Sequence, residues 1–148
     1  MFNENADVDR VLNISKEAML FDFLKQSDDG VEREVLEDGN NLSGGQKARL
    51  TIARALYKDS EILIFDDSFK ALDFKTDRKI RKNLKDNFKS RTIFMISQRI
   101  GTIKDADMII VLENGKIVGK GKHDELLKNN TVYREIALSQ LSKEEIYG

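Results

Sequence analysis

An apolar run that ends in two carboxylates, Ile62-Leu63-Ile64-Phe65-Asp66-Asp67, constrains this chain more than any other stretch. Consecutive apolar residues suit a parallel strand covered on both faces, here delivering acids at its C-terminal end. Thr92-Ile93-Phe94-Met95-Ile96 is a second strand of the same kind, followed by Ser97-Gln98-Arg99. Between them Ile80, Leu84 and Phe88 fall at i, i+4 and i+8, one face of a helix that Asp73 can cap. Strands alternating with helices argue an α/β fold.

Upstream, Leu42-Ser43-Gly44-Gly45-Gln46 opens a helix, with Ser43 as N-cap and Leu50, Ala53 and Leu56 at helical spacing behind it. Two glycines beside an exposed helix start leave backbone N–H groups free to approach a phosphate. Taken alone, such a stretch is more often an ordinary capped helix after a Gly-rich turn. Before it, residues 6–25 carry Val8, Val11, Leu12, Met19 and Phe23 near one helical face, the usual mark of plain core. The polar stretch from Gln26 to Asn41 reads as a loop with a short extended piece around Val31 to Leu36. Lys58 to Glu61 makes the turn into the acid-ending strand. Further on, strands over Met108 to Leu112 and Lys116 to Val118 flank Asn114-Gly115, a type I′ hairpin signal. Helices over His123 to Lys128 and Val132 to Leu141 close the chain.

Composition narrows the function. With 148 residues and 40% hydrophobic content the chain can build one compact core. A formal net charge of -1 gives no basic excess for nucleic acid. Cysteine is absent, which excludes disulfides and thiolate metal sites. Runs such as Met108 to Leu112 are far too short to span a bilayer, and no signal peptide is visible, so the expectation is no direct membrane insertion.

At this order and spacing, Leu42 to Gln46, Ile62 to Asp67 and Ser68-Phe69-Lys70-Ala71-Leu72-Asp73 resemble the signature motif, Walker B motif and D-loop of an ATP-binding cassette (ABC) ATPase. The resemblance is to the exporter type and covers nearly all of the chain, but only the later half or so of the family's domain. It implies a partial parallel sheet with flanking helices plus part of the helical subdomain, with residues 1–57 in that subdomain and its signature helix and 58–148 in the core. It also implies ATP and Mg²⁺ as cofactors. Ser43, Gly44, Gly45, Gln46 and Asp73 would be binding residues, Asp66 the metal-holding carboxylate, and Asp67 and Gln98 the catalytic positions.

The motif G-x-x-x-x-G-K-[ST], whose amides and lysine cradle phosphates, is missing. Gly115-Lys116, Gly119-Lys120 and Gly121-Lys122 each lack a glycine five positions earlier. The expectation is therefore a truncated domain that begins where the helical subdomain begins and is inactive as a lone chain. Three positions depart from the family pattern. Asp67 stands where the family usually carries glutamate, and it is one methylene shorter. Gln98 stands where the family usually has histidine; it can donate a hydrogen bond but cannot become cationic. Lys70 stands where the D-loop usually has serine. His123, the only histidine, resembles a structural feature of exporter cassettes and not a displaced switch.

An intact signature beside a weakened acid pair and switch resembles the degenerate half of a heterodimeric bacterial exporter. In such pairs one subunit's signature completes the ATP site of the other. The resemblance then implies a second ABC ATP-binding domain and transmembrane exporter domains as partners, and a cytoplasmic place at the inner face of the cell membrane. Two alternatives stay open: a non-enzymatic remnant of a broken exporter gene, or half of a DNA-repair ABC ATPase. The hairpin followed by Gly121-Lys122-His123-Asp124-Glu125-Leu126 resembles transporters, and the charge balance also counts against DNA.

Overall fold

The computed structural model describes residues 6–140, which fall into two compact units divided after Ile96. The first unit opens with helices α1 (Val8–Glu17) and α2 (Phe21–Lys25), then holds α3 (Gly44–Tyr57), strand β1 (Ile62–Asp66), α4 (Phe74–Asn87) and β2 (Thr92–Ile96). The expected strand–helix–strand alternation is present. Strands β1 and β2 pair in parallel from Ile62↔Thr92 to Asp66↔Ile96, and helices α3 and α4 both contribute to the core on one face of the sheet. Ile52 and Leu56 of α3, Leu63 and Phe65 of β1, and Ile80 and Leu84 of α4 are its buried centre.

The apolar stripe expected over residues 6–25 is broken rather than continuous. Helix α1 stops because Met19 adopts a left-handed φ of 55°. The Leu20 amide then donates to the Ser15 carbonyl at 2.7 Å, and the Met19 amide to that of Lys16 at 3.0 Å. These are the two bonds of a Schellman ending, built here without glycine. Arg49 Nη1 of α3 donates to the Met19 carbonyl at 2.6 Å, which fixes the turn from outside. The buried residues of this region are Ser15, Ala18 and Leu20; Val8 is exposed.

The extended piece expected around Val31 to Leu36 does not form a strand. Gly30–Glu32 and Glu37–Gly39 are single 3-10 turns. Asn41 takes the place of a strand partner. Its side-chain oxygen accepts from the Leu36 amide at 3.2 Å, and its nitrogen donates to the Glu34 carbonyl at 2.8 Å.

The second unit is built from α5 (Ile100–Ile103), β3 (Ile109–Glu113), β4 (Lys116–Gly121), α6 (His123–Asn129) and α7 (Thr131–Gln140). The hairpin forms where Asn-Gly places it, with φ of 48° at Asn114 and 74° at Gly115, the positive pair that a type I′ turn requires. Strand β3 is shifted by one residue from the expected Met108 to Leu112, β4 runs three residues past Val118, and the pairing carries an irregularity after Val111. The closing helix begins one residue earlier than expected, at Thr131; Leu141, its expected last residue, lies outside the described residues. Ile100, Ile109, Val111, Leu126, Tyr133 and Ala137 form this unit's core.

His123 and Tyr133 seal it, with Nδ1 and the phenol oxygen 2.7 Å apart. Burial pushes the Tyr133 phenol up to about 12 and, as the largest cause, lowers His123 from its ordinary 6.5. Each group is thus held in its neutral form.

Three expected outcomes follow from the packing within each unit. The neutral phenol contributes stability below pH 10 that is lost as pH rises towards about 12; neutral His123 contributes stability above pH 6.5 that is lost as pH falls through its lowered value. Urea melts across pH should therefore weaken on both sides, and Tyr133→Phe should remove the alkaline limb. In the first unit, the β1 and β2 residues on the face away from the core are half or more exposed: Ile62, Ile64, Phe94 and Ile96. Ile64→Ser should change stability by only about 0.5 kcal/mol while reducing self-association in sedimentation velocity. Leu56→Ala, at a fully buried site, should cost about 2–5 kcal/mol.

Candidate functional site

The start of α3 is fixed by a reciprocal pair of bonds. Ser43 Oγ accepts from the Gln46 amide at 3.2 Å, and Gln46 Oε1 accepts from the Ser43 amide at 2.8 Å. This capping box uses the side chains of Ser43 and Gln46 to hold the turn. Gly44 and Gly45, at the first two helical positions, have no residue one turn back to receive their amide hydrogens. Ser43 and Gly44 are exposed, and Gly45 is half-buried.

Neither glycine is there for the fold. Both lack a positive φ. A Cβ on Gly44 would stand 3.8 Å from the Ala71 Cβ, and one on Gly45 would stand 3.5 Å from the Ala71 carbonyl oxygen, both ordinary contacts. The chain could carry alanine at either position without clash. Gly39 differs: its φ is 63°, and a Cβ there would come within 3.2 Å of Lys47. At Gly44 and Gly45 the missing side chains instead leave open an approach to the first-turn amides, a fit to an anionic phosphate at a helix start.

Ala71 belongs to the segment that follows β1. Asp66 ends the strand with an exposed side chain, and its carbonyl accepts from Ser68 Oγ at 3.4 Å. Asp67, also exposed, turns the chain with a φ of 47°. Its amide donates to the Ile96 carbonyl, extending the parallel ladder by one step, and its carbonyl accepts from the Lys70 amide, each at 3.0 Å. Phe69 and Leu72 are buried; Phe69 packs edge-on against Phe65, ring centroids 5.6 Å apart. Asp73 caps α4, accepting from the Thr76 amide at 3.0 Å and its hydroxyl at 2.7 Å. The Thr76 amide, chiefly, and then its hydroxyl hold the Asp73 carboxyl below 3.8.

The fold thus brings Ser43 to Gln46 and the Asp66-to-Asp73 segment together within one unit, with Ala71 as the contact. Gln98 belongs to the second unit. Its side chain is exposed, and its carbonyl accepts from Gln140 Nε2 at 2.7 Å. Among the described residues no three His, Cys, Asp or Glu side chains gather closely enough to hold a metal ion alone. A hard cation that keeps several waters and binds one or two carboxylates plus phosphate oxygens is compatible with a single exposed acid such as Asp66. Residues that the sequence reading assigned no role complete the scaffold. Arg49 ties α3 to Met19, and Arg10 donates to the Tyr57 carbonyl at 2.6 Å. Arg91 donates to the Leu56 carbonyl at 3.2 Å and pairs with Asp59.

Comparison with known proteins identifies the family. Residues 2–70 match the family model described as ABC transporter. An ATP-dependent lipid A-core flippase of Saccharophagus degradans is 40% identical over 140 residues, 95% of this chain and 24% of the flippase. An alpha-hemolysin translocation ATP-binding protein of Escherichia coli is 44% identical over 125 residues, 84% of this chain and 18% of that protein. A bacterial Atm1-family ABC exporter with ATP bound superposes with a TM-score of 0.90 at 35% identity, over 95% of this chain and 25% of that one. The chain therefore spans about a quarter or less of the length of these relatives. It belongs to the ABC transporter family, as a stretch of an exporter-type ATP-binding domain.

Proposed function

We propose that this chain is an ATP-binding and ATP-hydrolysing part of an ABC exporter, and that it offers its signature segment to the ATP site of a second ATP-binding domain. The observation that carries this reading is the glycine pair at the start of α3. Glycine in a helix costs up to about 1 kcal/mol against alanine, and the chain's own packing has no use for it at Gly44 or Gly45. A ligand from outside the chain supplies the missing reason. Residues 1–57 would be helical subdomain and signature helix, and 58–148 the rest of the core.

In the proposed assembly, Ser43, Gly44, Gly45 and Gln46 face the phosphates of the partner's ATP, and Asp73 stands at the same junction. Asp66 would hold Mg²⁺, which when bound neutralises phosphate charge. Asp67 would polarise the attacking water as general base, and the Gln98 amide would donate to the γ-phosphate. An aspartate base has shorter reach than glutamate, and a displacement of about 1 Å costs on the order of 10²-fold in rate. A glutamine switch cannot carry charge. Both features support the degenerate half of a heterodimeric exporter, whose own site is slow and whose signature serves the competent one. Without G-x-x-x-x-G-K-[ST] in its sequence, the lone chain would neither bind ATP tightly nor hydrolyse it. No helix among the described residues is long and apolar enough to cross a membrane. In the proposed assembly, transmembrane exporter domains hold the chain at the cytoplasmic face.

Two substitutions at Gly44 separate this reading from a plain helix cap. In the lone chain Gly44→Ala should leave stability unchanged or raise it by up to about 1 kcal/mol, measured by urea unfolding. In the assembled exporter Gly44→Asp, which sets a carboxylate against the phosphate, should remove most ATPase activity. Unchanged turnover in the Asp variant would reduce the segment to a helix start and sink the proposal.

A further inference from the structure

The segment that carries Gln98 has no capping side chain of its own. Helix α5 begins at Ile100, and its N-cap, Arg99, makes no side-chain cap. The need is met from α7. Gln140 Oε1 accepts from the Ile100 amide at 3.0 Å, while Gln140 Nε2 donates to the Gln98 carbonyl at 2.7 Å. One primary amide thus spans two backbone groups on either side of Arg99. Ser97 Oγ accepts from the Arg99 amide at 3.0 Å and closes the same turn from below. Ile100 is buried in the core that also takes in Tyr133 and Ala137 of α7. The helix supplying Gln140 is therefore anchored to the element that its amide holds.

We propose that Gln140 is a positioning residue that fixes the backbone of Gln98, so that the Gln98 side chain projects from a held main chain and not from a mobile loop. The inference rests on the reading of Gln98 as the switch residue given above. Glutamine suits the task because one side-chain amide is both donor and acceptor. Glutamate keeps the acceptor for Ile100 but has no donor for the Gln98 carbonyl, and it would set oxygen against oxygen. Methionine keeps the length and loses both bonds.

These two variants distinguish holding Gln98 from merely capping α5. In the intact chain, amide hydrogen exchange at Ile100 should quicken on the order of tenfold in Gln140→Met and stay slow in Gln140→Glu, since one hydrogen bond is removed in the first only. In the exporter assembly that supplies a phosphate loop, with the partner's competent site disabled, single-turnover hydrolysis should fall about tenfold in both variants. The apparent affinity for ATP should stay unchanged, because a small misplacement of a catalytic group costs rate before binding. In a Gln98→Ala background neither variant should add a further loss.

Wild-type turnover in Gln140→Glu would make Gln140 a helix cap only and overturn the inference. So would an equal loss in the Gln98→Ala background. If Gln98→Ala itself leaves turnover untouched, the switch reading fails, and exchange at Ile100 then judges the clamp alone. Quickening in Gln140→Met upholds its geometry, and no change refutes it.

Discussion

The edge-on contact between Phe65 and Phe69 sets where the first unit's site residues can be. Phe65 is the last inward residue of β1, and Phe69 returns to the same core only four residues later. Burying a phenylalanine side chain is worth about 1.5–3 kcal/mol, so the two rings are firm anchors. The residues between them have to loop outwards. Asp66 and Asp67 are exposed for this reason, and the turn closes through the left-handed backbone of Asp67. Leu72 is the next anchor inwards, which turns Ala71 towards Gly44 and Gly45 and leaves Asp73 to start α4. Apolar burial, not polar contact, sets Ala71 beside the start of α3.

Local pattern made much of this legible in the sequence. The α4 face, the Ser43 and Asp73 caps, the places of the two strands and the Asn114-Gly115 turn depend on spacing or on one residue's backbone preference, and all are found where those signals put them. The α3 face centres instead on Ile52, Ala53 and Leu56 with Leu50 only partly buried, and β1 and β2, read as covered on both faces, leave one face exposed. The resemblance to ABC exporters was equally legible, because it rests on short strings in a fixed order. What the sequence hid was long-range polar bonding. Nothing periodic marks Met19 as a left-handed helix end; its turn is secured by Arg49, thirty residues away. Asn41 organises the Glu34 to Leu36 backbone, and Gln140 reaches back to Gln98 across 42 positions. Such bonds leave no spacing to read, since any residue with the right donor set could sit at either end.

The two halves of the candidate site relate differently to their own fold. At Asp67 the residue suits the backbone: aspartate tolerates a positive φ far better than most side chains, because its short carboxylate can bond locally. A longer acid would gain reach and lose some of that ease. The departure from the usual family glutamate therefore has a conformational counterpart in this chain. At Gly44 and Gly45 the position is reversed. Backbone and neighbours would accept alanine, and a helix would favour it. Asp67 is accounted for from within the chain, and the glycines are not. That contrast separates a site that shapes its own surroundings from a surface shaped for something that approaches it. It places the stronger claim to function on the start of α3, although the acids are the residues with reactive side chains.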